Sequence, residues 1–140
     1  MPSALLPVTA VYAGLLTLWI IYLTVRVGQM RTRHKVSLGD GGERAVLHAS
    51  RAHGNAVETI PLTLLLMALA ESIGAPAIAL HLLGLGLVAA RVLHGMYFFG
   101  GARVLALRSV GMGLTALVQL VLALGLLAHG IGHLGGGATP

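Results

Sequence analysis

From Leu5 to Val25 no side chain carries a charge, and the same holds between Glu71 and Arg91 and again beyond Arg108. Each run reaches the roughly 20 apolar residues that a helix needs to cross the hydrocarbon of a bilayer. Only nine basic and four acidic side chains are spread over 140 residues, 9% of the chain. A soluble domain carries about 25%, because its surface faces water. With 56% hydrophobic residues and a mean hydropathy of +0.90, the chain reads as a protein that stays in the membrane. Its length suits one domain, residues 1–140, and about four crossings.

The expected architecture is all-α, an integral-membrane four-helix bundle with helices over about 5–30, 43–73, 76–99 and 103–128. The first run is too long, and lacks the basic leading segment, for a cleaved signal peptide. Pro2 and Pro7 fall where a helix start tolerates proline, while Pro61 lies inside the second helix and removes one backbone hydrogen bond. Gly74, Ala75 and Pro76 form the turn between the second and third helices. Glycines 130, 132 and 135 make the end of the fourth a poor helix, leading into a short tail. All nine lysines and arginines lie between Arg26 and Arg108, flanking the first and third connections. The positive-inside rule puts both basic connections in the cytoplasm and both termini on the other side.

The second helix carries the densest polar pattern. Arg51, Asn55 and Glu58 stand at i, i+4 and i+7, within about 60° of one another on a helix. A fixed cation, an amide and a carboxylate thus share one narrow stripe. Charges at membrane depth are costly and normally face the bundle interior. Arg51 and Glu58 could pair to staple helices, with Asn55 as interhelical glue. Glu58 cannot, however, neutralise Arg51, Arg91, Arg103 and Arg108 together. Leftover arginines at one membrane face invite an anion, best one whose carboxylates arginine grips bidentately.

The third helix adds Arg91, His94 and Tyr97 across about 120°. The fourth adds Arg108, Thr115 and Gln119 within about 40°. Arg108 stands near the start of its helix, where the dipole disfavours a cation, so holding an anion is a better use than helix stability. Tyr97 reads either as a ligand contact or as an interfacial anchor. His129 and His133 are four apart, but no carboxylate accompanies them, and no metal site is expected. The pairs Gly84/Gly86 and Gly111/Gly113 lack any phosphate-loop context and read as helix contact points. Aromatic residues are too scarce, and the basic groups too tied to topology, for nucleic acid. With no cysteine in the chain, any thiol chemistry must come from a bound molecule.

The segment Arg51-Ala52-His53-Gly54-Asn55-Ala56-Val57-Glu58-Thr59-Ile60-Pro61 resembles the signature of the MAPEG superfamily. These are the membrane-associated proteins of eicosanoid and glutathione metabolism, among them microsomal glutathione transferases and leukotriene C4 synthase. Gly39-Asp40-Gly41-Gly42 is similar to a small bacterial branch, and the stretch from Arg91 to Arg108 is similar to the family as well. The resemblance implies a homotrimer in a bacterial inner membrane, both termini periplasmic, binding glutathione as co-substrate between subunits near the cytoplasmic face. By position, Arg51 and Asn55 would hold the peptide's backbone and carboxylates, and Glu58 its γ-glutamyl amino group. Tyr97 would line the pocket, and Arg108 would favour the thiolate. Arg31 and His53 would reach in across a subunit boundary. Thr59 and Gly101 stand where the leukotriene synthases carry tyrosines, so fewer phenols would grip the peptide.

The implied activity is that of a glutathione-dependent transferase or peroxidase acting on a hydrophobic electrophile, delivered from the surrounding membrane lipid. A cation beside the sulfur would enrich its nucleophilic thiolate, since a free thiol has a pKa near 8.5. The alternative is a non-catalytic ligand-binding or scaffold protein of the same fold. A channel or transporter is third, since no paired inverted repeats or matching helix breaks occur.

Overall fold

The computed structural model describes residues 6–99 and 105–136, which form four helices and their connections. They are α1 (Pro7–His34), α2 (Arg44–Ser72), α3 (Ala77–Phe99) and α4 (Leu105–Gly136). Gly101 and Arg103 lie outside the described residues. Three helices are long and apolar enough to cross a membrane, over Pro7–His34, Ala77–Phe98 and Ala106–Leu134. The fourth, α2, is as long but polar in its first half, and it packs against each of the other three. Its buried positions are Val46, Ala49, Ala52, Ala56, Ile60, Thr63, Met67 and Ala70, a helical stripe rich in small residues. Alanine there lets neighbouring backbones come close, which is how helices gain packing energy where the hydrophobic effect is weak.

Two helices outrun their expected ends. In α1 the helix continues to His34 and stops at Lys35, whose φ of 56° is left-handed. The following turn places Gly39, Gly41 and Gly42 at positive φ, and Asp40 Oδ1 accepts the Gly42 N–H at 3.0 Å. A Cβ on Gly41 would meet a Val36 methyl at 2.8 Å, so the glycine is needed for space as well as for backbone angle. α4 corrects the other expectation by running on to Gly136 through Gly130 and Gly132. Backbone groups beside hydrocarbon have no water to bond, so the helix persists despite poor propensity. His129 and His133 accordingly share a face, their ring centroids 4.0 Å apart.

At the end of the bundle remote from the basic connections, α1 starts without a capping side chain of its own. Glu71, near the end of α2, supplies the cap: its carboxylate accepts the N–H of Val8 at 2.9 Å and of Thr9 at 2.8 Å. These amides belong to the first turn, which has no intrahelical acceptor and carries the positive end of the dipole. Nearby, the Tyr12 hydroxyl donates to the His81 carbonyl at 3.0 Å, tying α1 to α3. Glu71→Ala should lower stability by about 1–2 kcal/mol. Glu71→Gln, which keeps one acceptor, should lose less. Thermal unfolding in detergent gives the ranking, and equal midpoints for all three proteins would remove Glu71 as a cap.

Candidate functional site

Near the basic end of the bundle α2, α3 and α4 diverge around a cavity of about 230 Å³. It is lined by Ser50, Arg51, Gly54, Asn55 and Glu58 from α2, His94 and Phe98 from α3, and Arg108 and Met112 from α4. The expected stripe of α2 thus faces one cavity, and Arg108 comes to it from another helix. A second hollow, about 390 Å³, adjoins the first and shares Arg51, Phe98 and Arg108 with it. Leu47, His48 and Tyr97 complete its wall.

The charges in the first cavity are unbalanced. Among the described residues, neither Arg51 nor Arg108 makes an ion pair with Glu58; the pair found there is His34 with Glu43, at 3.1 Å in the first connection. Stapling of α2 by Arg51 and Glu58 is therefore not what the stripe does within the chain. Both side chains are exposed in the single subunit, as is Arg108. The Ser50 hydroxyl, by contrast, is buried at the cavity wall with no hydrogen-bond partner among the described residues.

Behind the cavity lies a polar layer across three helices. Arg91, only 1% exposed, donates through Nη1 to Asn55 Oδ1 at 2.7 Å and Thr59 Oγ1 at 2.9 Å. The Thr59 hydroxyl donates to the Asn55 carbonyl at 2.7 Å, and that of Thr63 to the Thr59 carbonyl at 2.8 Å. Gln119 of α4 reaches Thr63 Oγ1 through Nε2 at 2.9 Å. Thr115 is buried and donates to the Gly111 carbonyl at 2.9 Å. Of the polar residues grouped on α4, then, Arg108 alone lines the cavity, while Gln119 bonds across to α2 and Thr115 bonds back within α4. The bonds that cross between helices, from Arg91 and Gln119, contribute about 0.6–2 kcal/mol each.

Tyr97 does not line the first cavity. It faces the outer hollow, with the Arg108 guanidinium carbon 5.9 Å from its ring centroid, a cation–π distance. The aromatic side chain that lines the cavity with Asn55, Glu58 and Arg108 is Phe98, whose ring sits 5.2 Å from that of His94 and 5.0 Å from that of Tyr97. Phe98 was legible as the position four after His94 and seven after Arg91, on the same helical face. Ser50 and Met112 carried no comparable signal. His53 lines neither hollow, and Arg31 donates to the Ser37 carbonyl of its own connection at 3.3 Å. Within one chain both stand apart from the site.

The sequence model of the MAPEG family matches residues 9–128, which takes in every residue of this cavity. The chain belongs to the MAPEG family. Two curated relatives are each 38% identical over 118 residues, covering 83% of this chain and 88% of their own. Both are the inner membrane protein YecN, one from Escherichia coli strain K12 and one from Escherichia coli O6:H1. This MAPEG protein is accordingly an integral membrane protein, of the inner membrane as those relatives are.

Proposed function

We propose that the cavity binds glutathione and that the protein is a glutathione-dependent transferase or peroxidase for hydrophobic electrophiles. The observation that carries this reading is the charge imbalance. Arg51 and Arg108 line the cavity, Arg91 lies behind it, and Glu58 is the one carboxylate among the lining residues. A ligand with two carboxylates and one ammonium group matches that set: arginines grip carboxylates and Glu58 takes the ammonium. The buried, unpaired Ser50 hydroxyl offers a further contact. Family membership supports glutathione as the molecule with that pattern and a thiol besides.

Each residue then has a task. Arg51 and Asn55 hold the peptide, Glu58 orients its amino end, and Arg108, reached from both hollows, stands where a sulfur could be kept as thiolate. Phe98 and Tyr97 form an aromatic wall between glutathione and the outer hollow, and the electrophile arrives there by partition from lipid. What the protein then contributes to the rate is mainly proximity and a higher thiolate fraction. The exposure of Arg51, Glu58 and Arg108 in the single chain supports a homotrimer in which a neighbouring subunit covers the site and brings Arg31 and His53. In that assembly the basic connections are cytoplasmic and both termini periplasmic, as the charge bias requires.

Calorimetric titration of the purified protein in detergent should show glutathione binding. Arg51→Ala and Glu58→Ala should each weaken it by about 10-fold or more, the scale of one lost charge-assisted bond. If the unaltered protein takes up no glutathione, this reading fails. If it binds glutathione yet turns over no generic electrophile, it is the non-catalytic binding protein.

A further inference from the structure

Arg91 is the one buried arginine or lysine among the described residues, and every partner it has is neutral. Besides Asn55 and Thr59, its Nη2 reaches the Gly111 carbonyl at 3.4 Å and the Met112 sulfur at 3.8 Å. Its Nε is buried with no partner among the described residues. A cation inside a membrane bundle is expensive when only dipoles surround it, and such residues persist where they serve a site. Yet Arg91 does not line the cavity, so it cannot touch a ligand there. It touches Asn55, which does.

A guanidinium group has donors and no acceptor. The Asn55 atom 2.7 Å from Arg91 must therefore be the amide oxygen, whichever way the amide is drawn. That leaves Nδ2, which makes no hydrogen bond with any described residue, as the group the amide can offer to the cavity. Thr59 reinforces the arrangement: it accepts from the same Nη1 and donates to the Asn55 carbonyl, leaving Asn55 no free backbone acceptor.

We infer that Arg91 is a positioning residue that turns the Asn55 amide donor-outward, so that the cavity demands a carboxylate or carbonyl oxygen at Asn55 and rejects an ammonium group there. This rests on the cavity being the ligand site and specifies how Asn55 reads the ligand. The unpaired charge of Arg91 adds its field to those of Arg51 and Arg108 and favours the same anionic group.

Asn55 is the only asparagine in the chain, so ¹⁵N-asparagine labelling reports a single side-chain amide. In the ligand-free protein, Arg91→Met should move that signal to the position of a free amide, and Arg91→Lys should shift it part of the way back. Glutathione should perturb the signal in the unaltered protein, and its affinity should fall about 10-fold in Arg91→Met, with partial recovery in Arg91→Lys. An unmoved amide signal in folded Arg91→Met overturns the inference. An amide that moves in a protein binding no glutathione leaves the positioning intact and removes the glutathione reading instead. Should Arg91→Met fail to fold, Asn55→Asp decides. With one oxygen paired to Arg91 and the other turned outward, it should raise the thermal midpoint and lose glutathione binding. A lowered midpoint or retained affinity overturns the inference.

Discussion

Arg108→Ala is expected to lower turnover of a hydrophobic electrophile about 25-fold at pH 7 and hardly at all at pH 9. The figure follows from thiolate fractions. A thiol with a free pKa near 8.5 falls to about 6.5 beside a cation, so about three-quarters is thiolate at neutral pH. Without the cation, only about 3% is thiolate at that pH. The sign of the pH effect follows as well. The thiolate is the charged form, which Arg108 stabilises in the proposed mechanism, so removing Arg108 should move the rising limb of the pH–rate profile to higher pH. Above the free pKa both proteins carry nearly full thiolate, and the deficit closes. Its place in the first turn of α4 strengthens the case, since the positive end of a helix dipole also favours an anion. Ultraviolet absorbance of the bound thiolate, followed against pH, separates this from a loss of binding. A profile that keeps its position while the rate drops would place Arg108 in substrate binding rather than thiol activation.

What the sequence revealed of this site was its charge and its face. Arg51, Asn55 and Glu58 share a stripe because helix geometry admits no other arrangement, and a lone carboxylate among several arginines signals an anion whatever the packing. Resolution failed where tertiary contact decides. Phe98 shares the helical face of Arg91 and His94, but whether that face or the neighbouring one with Tyr97 borders the cavity is decided only by the packing of α3 on α4. Nor could Asn55 be oriented before Arg91 was seen against it, 36 residues away. Glu71 was one of only four acids and showed no function by spacing, since its partners are amides at Val8 and Thr9, more than 60 positions earlier. The end of α4 misled for another reason. Glycine propensities are measured in water, where an unfolded backbone finds partners, and membrane hydrocarbon supplies none.

Gly111→Val should cost more stability than loss of any one contact in the site, and it should take the site with it. A Cβ on Gly111 would lie 2.7 Å from the Ala90 carbonyl oxygen, 2.8 Å from the His94 nitrogen and 2.9 Å from the His94 Cβ. Two of these three are backbone atoms of α3, which cannot swing aside as a side-chain tip can. Even alanine forces the helices apart at a cost of about 1–3 kcal/mol, and valine should exceed that. Gly113, two residues on, has nothing within 4 Å of the same added atom. There alanine should be neutral or slightly stabilising, because it gains up to about 1 kcal/mol of helix propensity. The pair separates close approach from glycine chemistry as such. Thermal unfolding in detergent should place Gly111→Val far below the unaltered protein and Gly113→Ala at or above it; coincident midpoints for all three would mean α3 and α4 cross less tightly. The contact matters for function because Arg91 reaches the Gly111 carbonyl and His94 packs on Phe98. If α4 moves outward, Arg91 loses a neutral partner, Arg108 leaves the cavity, and glutathione affinity should fall even in Gly111→Ala protein that remains folded.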